Sequence, residues 1–177
     1  MTQLRKNLSV FTQTSFKNIW SLLNAETQEF TKQKLFEVLH KEQDHTLRRQ
    51  IADTIGEIAG SVLSEKADAW PKFVEYIWAL FGTNTPNASV SAFNILETFL
   101  SYAPDVFTKH RNELYAVFKN SLIHSDIKIK SAGLKALSTH LQVLETKEMT
   151  IYEDLVIPIY EAAYYLLVQD SGNDEGL

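Results

Sequence analysis

A chain of 177 residues that is 45% hydrophobic and 11% aromatic has enough apolar surface to fold, which excludes disorder as its main description. Its net charge of −5 comes from interspersed acidic and basic residues, so no basic footprint for nucleic acid is present. The absence of cysteine excludes disulfides and thiolate chemistry, and we expect neither a secretory signal nor a membrane span.

The first third of the chain predicts a lead-in helix over about residues 14–25 and a first pair of helices over about residues 27–64. Polar residues 42–45 separate the two helices of this pair, as expected for a tight turn. The apolar stripe of its first helix contains Phe30, Leu35, Phe36, Val38 and Leu39. That of the second contains Leu47, Ile51, Ile55, Ile58, Ala59 and Val62.

The same plan predicts further pairs over about residues 70–103 and 104–144. Trp70-Pro71 is typical of a helix start, and Pro104 is expected to end the second helix of the middle pair, which we place over residues 88–103. A partial repeat over about residues 147–177, with a helix over residues 149–168, follows. We therefore expect one array over residues 1–177 that is a fragment of a longer repeat protein.

The second helices of the three pairs share one apolar register with a spacing of 41 residues. The equivalent sets are Leu47, Ala88 and Ile129; Ile51, Ala92 and Gly133; Ile55, Leu96 and Leu137; and Val62, Ala103 and Leu144. A period in this range with helical spacing inside each unit indicates paired-helix repeats of the HEAT or armadillo type. The predicted fold is an all-α HEAT-repeat solenoid, an α-α superhelix of antiparallel helix pairs.

No residue pattern in the chain predicts catalysis, a cofactor or a metal. The five histidines do not form an HExxH motif, and glycine-rich phosphate loops are absent. Asp53 and Glu57 share a helix face, but no nucleophile accompanies them. His140 occupies a register position held elsewhere by Ile58 and Phe99, which indicates a partly buried histidine. An enzymatic alternative would need ligands from His40, His110 or the carboxylates.

The repeat plan predicts two kinds of protein-binding surface, because solenoids present extended concave faces to partners. On the second helices, the residues outside the buried stripe are Arg49, Asp53, Glu57, Asn94, Thr98, Ser131 and Lys135. On the first helices, aromatic residues that could line crevices between repeats are Trp78, Phe81 and Tyr115. A solvated face without a partner, and aromatics that only pack between repeats, are the alternative interpretations.

Two motifs are more specific than the general repeat pattern. Residues 53–59 read Asp-Thr-Ile-Gly-Glu-Ile-Ala within a second helix that carries arginines, and Trp70-Pro71 opens the next repeat. In this combination the chain resembles nuclear transport receptors of the importin-beta (karyopherin-beta) family, in the importin five branch, over about residues 27–177. Ser89 departs from the pattern, since Arg48 and Lys130 occupy its equivalent positions.

The resemblance implies a protein-binding segment of a receptor that carries cargo through nuclear pores under the control of Ran. The implied partners are GTP-bound Ran on second helices, cargo proteins with basic localisation signals, and nucleoporins whose phenylalanine-glycine motifs bind between first helices. It implies shuttling between cytoplasm and nucleus, with no nucleic acid or membrane as partner. A HEAT-repeat scaffold or adaptor of another complex, such as a phosphatase scaffold, remains the alternative.

Overall fold

A computed structural model describes residue 20 and residues 22–66, 68–83 and 85–171. Its α-helices are α1 (Ala25–Lys41), α2 (His45–Glu65), α3 (Lys72–Gly82), α4 (Pro86–Phe99), α5 (Arg111–Leu122), α6 (Ile127–Val143), α7 (Thr146–Met149) and α8 (Val156–Ser171). Two 3₁₀ segments, Pro104–His110 and Thr150–Leu155, precede α5 and α8. The predicted all-α class is confirmed, since these residues contain no strand. The predicted lead-in helix lies mostly outside the described residues.

Local sequence signals set the helix starts. Asp44 and Asp126 cap α2 and α6 by accepting hydrogen bonds from backbone N–H groups in the first turn, and Asn24 caps α1 in the same way. Pro86 is the first residue of α4, where proline's missing N–H costs no helical bond. The predicted start of this helix at residue 88 was therefore late, and its predicted end at 103 was wrong because the helix stops at Phe99.

The helices form antiparallel pairs, α1 with α2, α3 with α4 and α5 with α6, that stack in chain order. The second helices α2, α4 and α6 pack directly side by side, whereas contacts between consecutive first helices are sparse. Because the more tightly packed row lies on the inside of a bend, the second helices form the concave face of the stack. This confirms the predicted solenoid of paired helices.

Two series of aromatic ring contacts connect the cores of neighbouring helix pairs. One run joins Phe73 to Phe99, with ring centroids 4.7 Å apart, and Phe99 to Phe107 at 5.7 Å. The other passes from Phe93 to Phe118 at 6.1 Å and on to His140 at 5.8 Å. Since stacking is the only way a helical hairpin can bury both apolar stripes, these rings connect the repeats into one core.

Small residues let the helices approach closely. A Cβ atom added to Gly56 would lie 2.8 Å from the Ile95 carbonyl oxygen and from Thr98 Cβ, across the α2–α4 contact. A Cβ added to Gly133 would overlap the side chain of Ser121 on α5. Glycine therefore permits close helix packing at both positions, and the neighbour of Gly133 lies within its own helix pair.

The apolar stripe of α1 was predicted partly wrongly. Phe30 and Val38 are exposed, at 59% and 47%, and Leu47 at the start of α2 is 48% exposed. Lys32, by contrast, is only 4% exposed, because its ammonium group donates to Glu29 Oε1 and to the Ala69 carbonyl oxygen. The buried face of α1 therefore includes Lys32 and leaves out Phe30 and Val38, which the apolar pattern had placed on it.

The last part of the chain is broken into shorter elements than the predicted helix over residues 149–168. The capping box of Glu145 and Glu148 starts α7, and a 3₁₀ segment then leads into α8. His140 is buried at 4% exposure and its Nε2 lies 3.0 Å from the Tyr152 hydroxyl of that segment. Desolvation lowers the pKa of His140 to about 4, so this core histidine is neutral at physiological pH.

Candidate protein-binding surfaces

Four of the predicted concave residues form one network between α2 and α4. Arg49 Nε lies 3.1 Å from the Asp53 carboxylate, while its Nη1 donates to Asn94 Oδ1 at 2.7 Å. Its Nη2 donates to Glu97 Oε2 at 2.8 Å, and Thr98 donates to Asp53 at 3.4 Å. The structure therefore brings Arg49, Asp53, Asn94 and Thr98 together and adds Glu97. The 41-residue register predicts their shared face but not these bonds.

The pKa values of the charged groups in and beside this network are shifted from their ordinary values. Burial raises the pKa of Asp53, and the nearby Arg49 only partly offsets that effect. Burial and then the charge of Asp53 raise the pKa of Glu57. Although burial opposes its charge, the carboxylates of Asp53 and Glu97 raise the pKa of Arg49. Glu57 therefore adds a carboxylate, without a described ion-pair partner, beside one that is already desolvated.

A groove of about 1060 Å³ runs along the concave face at the N-terminal ends of α2, α4 and α6. Arg49, Asn94, Ser131 and Lys135 line it, whereas Asp53, Glu57 and Thr98 lie outside its lining. The C-terminal half of α8, from Ala163 to Gln169, supplies one wall. The predicted concave residues are thus divided between this groove, which we call the concave groove, and the carboxylate-bearing middle of α2.

In the first and third pairs, a basic residue near the start of the second helix donates hydrogen bonds to carbonyl oxygens at the end of the preceding helix. Arg48 Nη1 donates to the carbonyl oxygens of Leu39 and Glu42, and Lys130 donates to that of Leu122. Cations at these C-terminal carbonyls satisfy groups that lack helical partners. In the middle repeat, Ser89 is too short for this role.

A crevice of about 320 Å³ opens where Ser89 replaces the basic residue, and we call it the Ser89 crevice. Phe81, Phe93 and Val117 provide its apolar walls, between the first helices α3 and α5. Of the three aromatics predicted for such a crevice, only Phe81 lines it. Sequence reasoning noticed the serine but did not connect it with a cavity.

The other two aromatic candidates lie elsewhere on the first-helix side. Trp78 packs against Phe107 and His110, each with ring centroids 5.8 Å apart. Tyr115 lies 5.9 Å from the Tyr152 ring and donates to Asp154. Both residues therefore pack between neighbouring elements.

Within the described residues, no group of three or more histidine, aspartate or glutamate side chains is placed to hold a metal ion. The described helices include none with the length and apolarity needed to cross a membrane. His40 is exposed and His110 packs on aromatic rings, so the structure does not bring these two histidines into one cluster.

Stacked antiparallel helix pairs with a grooved concave face define a HEAT- or TPR-like repeat protein of the binding type. The model of the family described as "IPO5-like, TPR repeats" matches residues 43–177. The chain belongs to this family, which confirms the resemblance to the importin five branch. The family is a transport-receptor repeat domain of the importin type. Among curated proteins, no match was found.

Proposed function

We propose that this chain is a protein-binding segment of a nuclear import receptor that carries cargo through nuclear pores under the control of Ran. The observation that supports it most strongly is the family match over residues 43–177. The row of second helices α2, α4 and α6 provides the extended concave surface that such binding needs. The segment carries out no chemistry of its own, and its receptor shuttles between cytoplasm and nucleus.

GTP-bound Ran is the proposed partner of the second-helix face. The test is a pull-down in which the immobilised chain is offered Ran loaded with GTP or with GDP. Preferential capture of the GTP form supports the proposal. Capture that ignores the nucleotide, or no capture by either this chain or its full-length parent, would contradict it and favour a scaffold of another complex.

Cargo proteins with basic localisation signals fit the carboxylates in the middle of α2. Asp53 and Glu57 are desolvated, and their mutual repulsion contributes to the raised pKa of Glu57. A lysine or arginine of a partner would relieve both costs, because an opposite charge within a few ångströms favours the ionised carboxylate. The unfavourable free energy of these two ionised carboxylates supports the proposal that a cation of a partner binds here.

Replacing Glu57 by glutamine is expected to raise the melting temperature at pH 7. Folding raises the pKa of Glu57 above 4.5, so the protonated carboxyl contributes stability at low pH. That contribution is lost as pH rises through the folded pKa, and at pH 7 the ionised carboxylate makes the folded state less stable. The gain from Glu57→Gln should therefore shrink as pH falls through the folded pKa toward 4.5 and be lost below that value. Thermal melts across this range measure it. Glu161→Gln, at an exposed position of α8, is the control, and an equal gain there would refute the explanation.

Nucleoporin phenylalanine-glycine motifs are the proposed occupants of the Ser89 crevice. Its volume of about 320 Å³ lies at the small end of the range for ligand pockets, and its walls are apolar and aromatic. A single phenylalanine side chain with the adjoining backbone suits such a space. The crevice lies between first helices, where the family resemblance implies this contact.

Ser89→Arg is expected to close the crevice and to weaken capture of a phenylalanine-glycine peptide several-fold. The arginine would occupy the position that Arg48 holds in the preceding repeat, so the fold should be retained. Fluorescence polarisation with a labelled peptide measures the change. Ser101→Arg, at an exposed position, is the matched control. Unchanged peptide affinity in a folded Ser89→Arg variant would exclude the crevice as the binding site.

A change in curvature is the proposed link between the cargo and Ran sites. Small rotations between successive pairs add up along a solenoid, so a partner that grips several repeats changes its overall bend. Small-angle scattering of the full receptor with and without GTP-bound Ran tests this. Identical scattering profiles would refute the mechanism.

A further inference from the structure

The lining of the concave groove contains four cationic side chains, Arg48, Arg49, Lys128 and Lys135, and no carboxylate. Arg48 lines the groove, and its guanidinium donates only to neutral acceptors: three backbone carbonyls and Ser91 Oγ at 2.8 Å. Arg49 is the exception, because Asp53 and Glu97 pair with it. No described carboxylate therefore neutralises the charge of Arg48, although its two terminal nitrogens already donate to these acceptors.

Two lysines of α6 contribute to this cationic lining. Lys128 and Lys135 line the groove, and neither ammonium group forms a hydrogen bond or ion pair with any described residue. Lys130 is not part of the lining; its ammonium group donates to the Leu122 carbonyl and lies 5.0 Å from the Tyr165 ring centroid. All three cations thus lack a carboxylate partner within the described part of the chain.

Two carboxylates, Asp44 and Asp126, adjoin lining residues in sequence but are not part of the groove lining. Asp44 and Asp126 precede α2 and α6, and each accepts hydrogen bonds from the first turn of its own helix. Of the three second helices whose N-terminal ends face the groove, only α4 has no carboxylate at its cap, so the positive end of its dipole adds to the groove. The groove lining is therefore cationic in a chain whose net charge is −5.

The groove has apolar as well as basic lining residues. Val90, Leu134 and Leu166 lie between the cationic rims. An occupant that satisfies both features carries carboxylates at its edges and aliphatic side chains toward the floor. This favours a protein segment over a nucleic acid, since no pair of aromatic faces is placed there for base stacking.

We propose that the concave groove binds an acidic peptide segment in which aspartate or glutamate alternates with aliphatic residues. Alternation in an extended chain directs the two side-chain types to opposite faces. The inference rests on the proposed function only in taking the concave face as protein-binding. It separates this groove from the neighbouring carboxylates of α2, which suit basic signals.

The test uses a fluorescein-labelled peptide of about eight residues with alternating Asp-Leu and Glu-Val pairs, because an extended chain covers about 3.3 Å per residue and three adjacent helix axes span about 20 Å. Fluorescence polarisation with the whole chain should show binding that weakens as salt rises. Lys128→Glu with Lys135→Glu should weaken it at least about tenfold, a loss of about 1.4 kcal/mol. Leu134→Ser should weaken binding without changing its salt dependence.

Lys72→Glu with Lys109→Glu is the matched control, since it makes the same change of charge at two exposed lysines outside the groove. Equal loss in both double variants, or tighter binding of a lysine-leucine peptide, would overturn the proposal. A single-stranded oligonucleotide that binds as tightly as the peptide would also overturn it. Retained capture of GTP-bound Ran by a chain that ignores the acidic peptide would refute this inference alone.

Discussion

Replacing Gly133 by leucine is expected to lower the free energy of unfolding by about 3 kcal/mol, at the upper end for overpacking. Even the first added carbon would overlap the Ser121 side chain, and Phe93 Cζ lies 3.5 Å from the same point. Ser121 is buried and its hydroxyl donates to the Phe118 carbonyl at 2.7 Å, so it has little room to yield. Urea denaturation measures the loss.

Gly82→Ala is the matched control for Gly133→Leu, because a Cβ at Gly82 meets nothing within 4 Å. This exposed end of α3 should gain about 0.5–1 kcal/mol from the better helix propensity of alanine. Gly133→Ala combined with Ser121→Gly should recover part of the loss caused by Gly133→Ala alone. If the double variant is as unstable as the sum of the two single ones, the overlap is not the cause.

The close contact at Gly133 shows what a repeat register can predict. The 41-residue spacing identifies Ile55, Leu96 and Leu137 as equivalent core positions, and all three are buried. It also places Gly133, a residue without a side chain, at the position equivalent to Ile51 and Ala92. It does not identify the neighbour, because Ser121 lies on α5 and its distance from Gly133 depends on how that helix turns.

Lysine and aromatic side chains account for the parts of the fold that the sequence could not predict. Lys32 is buried because its Nζ lies 5.6 Å from the Trp70 ring centroid and donates a hydrogen bond to the Ala69 carbonyl oxygen. A pattern of apolar residues omits such a lysine and so assigns Phe30 to the wrong face. Trp78, Phe81 and Tyr115 are all aromatic residues of first helices. Only Phe81 lines the Ser89 crevice, because Trp78 packs on Phe107 and Tyr115 on Tyr152.

The candidate surfaces were predictable as faces but not as sites. Arg49 reaches Asn94 and Glu97 across 45 and 48 residues of sequence. Such pairing depends on the packing of α2 against α4. The division of the concave face into a basic groove and a carboxylate-bearing part follows from that packing too.

Leu96→Glu is expected to have the largest effect, a loss of at least about 3–5 kcal/mol, because it places a charge without a partner in the core. Leu96 is fully buried near the C-terminal end of α4, which packs on both α2 and α6. Leu96→Ala should cost about 2–5 kcal/mol by leaving a cavity. Ile123→Glu, at a position that is 70% exposed, is the control and should stay within about 0.5 kcal/mol of wild type.

The shape of the unfolding transition distinguishes two consequences of Leu96→Glu. In a solenoid each pair contacts only its neighbours, so loss of the middle pair separates the ends energetically. The wild-type chain should unfold in one transition, whereas Leu96→Glu should abolish it or leave residual structure in α5 and α6 alone. Hydrogen exchange followed by mass spectrometry resolves the two halves. Equal protection of α2 and α6 in the variant would mean that α4 does not couple them, and the stack would then lack the central link on which a curvature change depends.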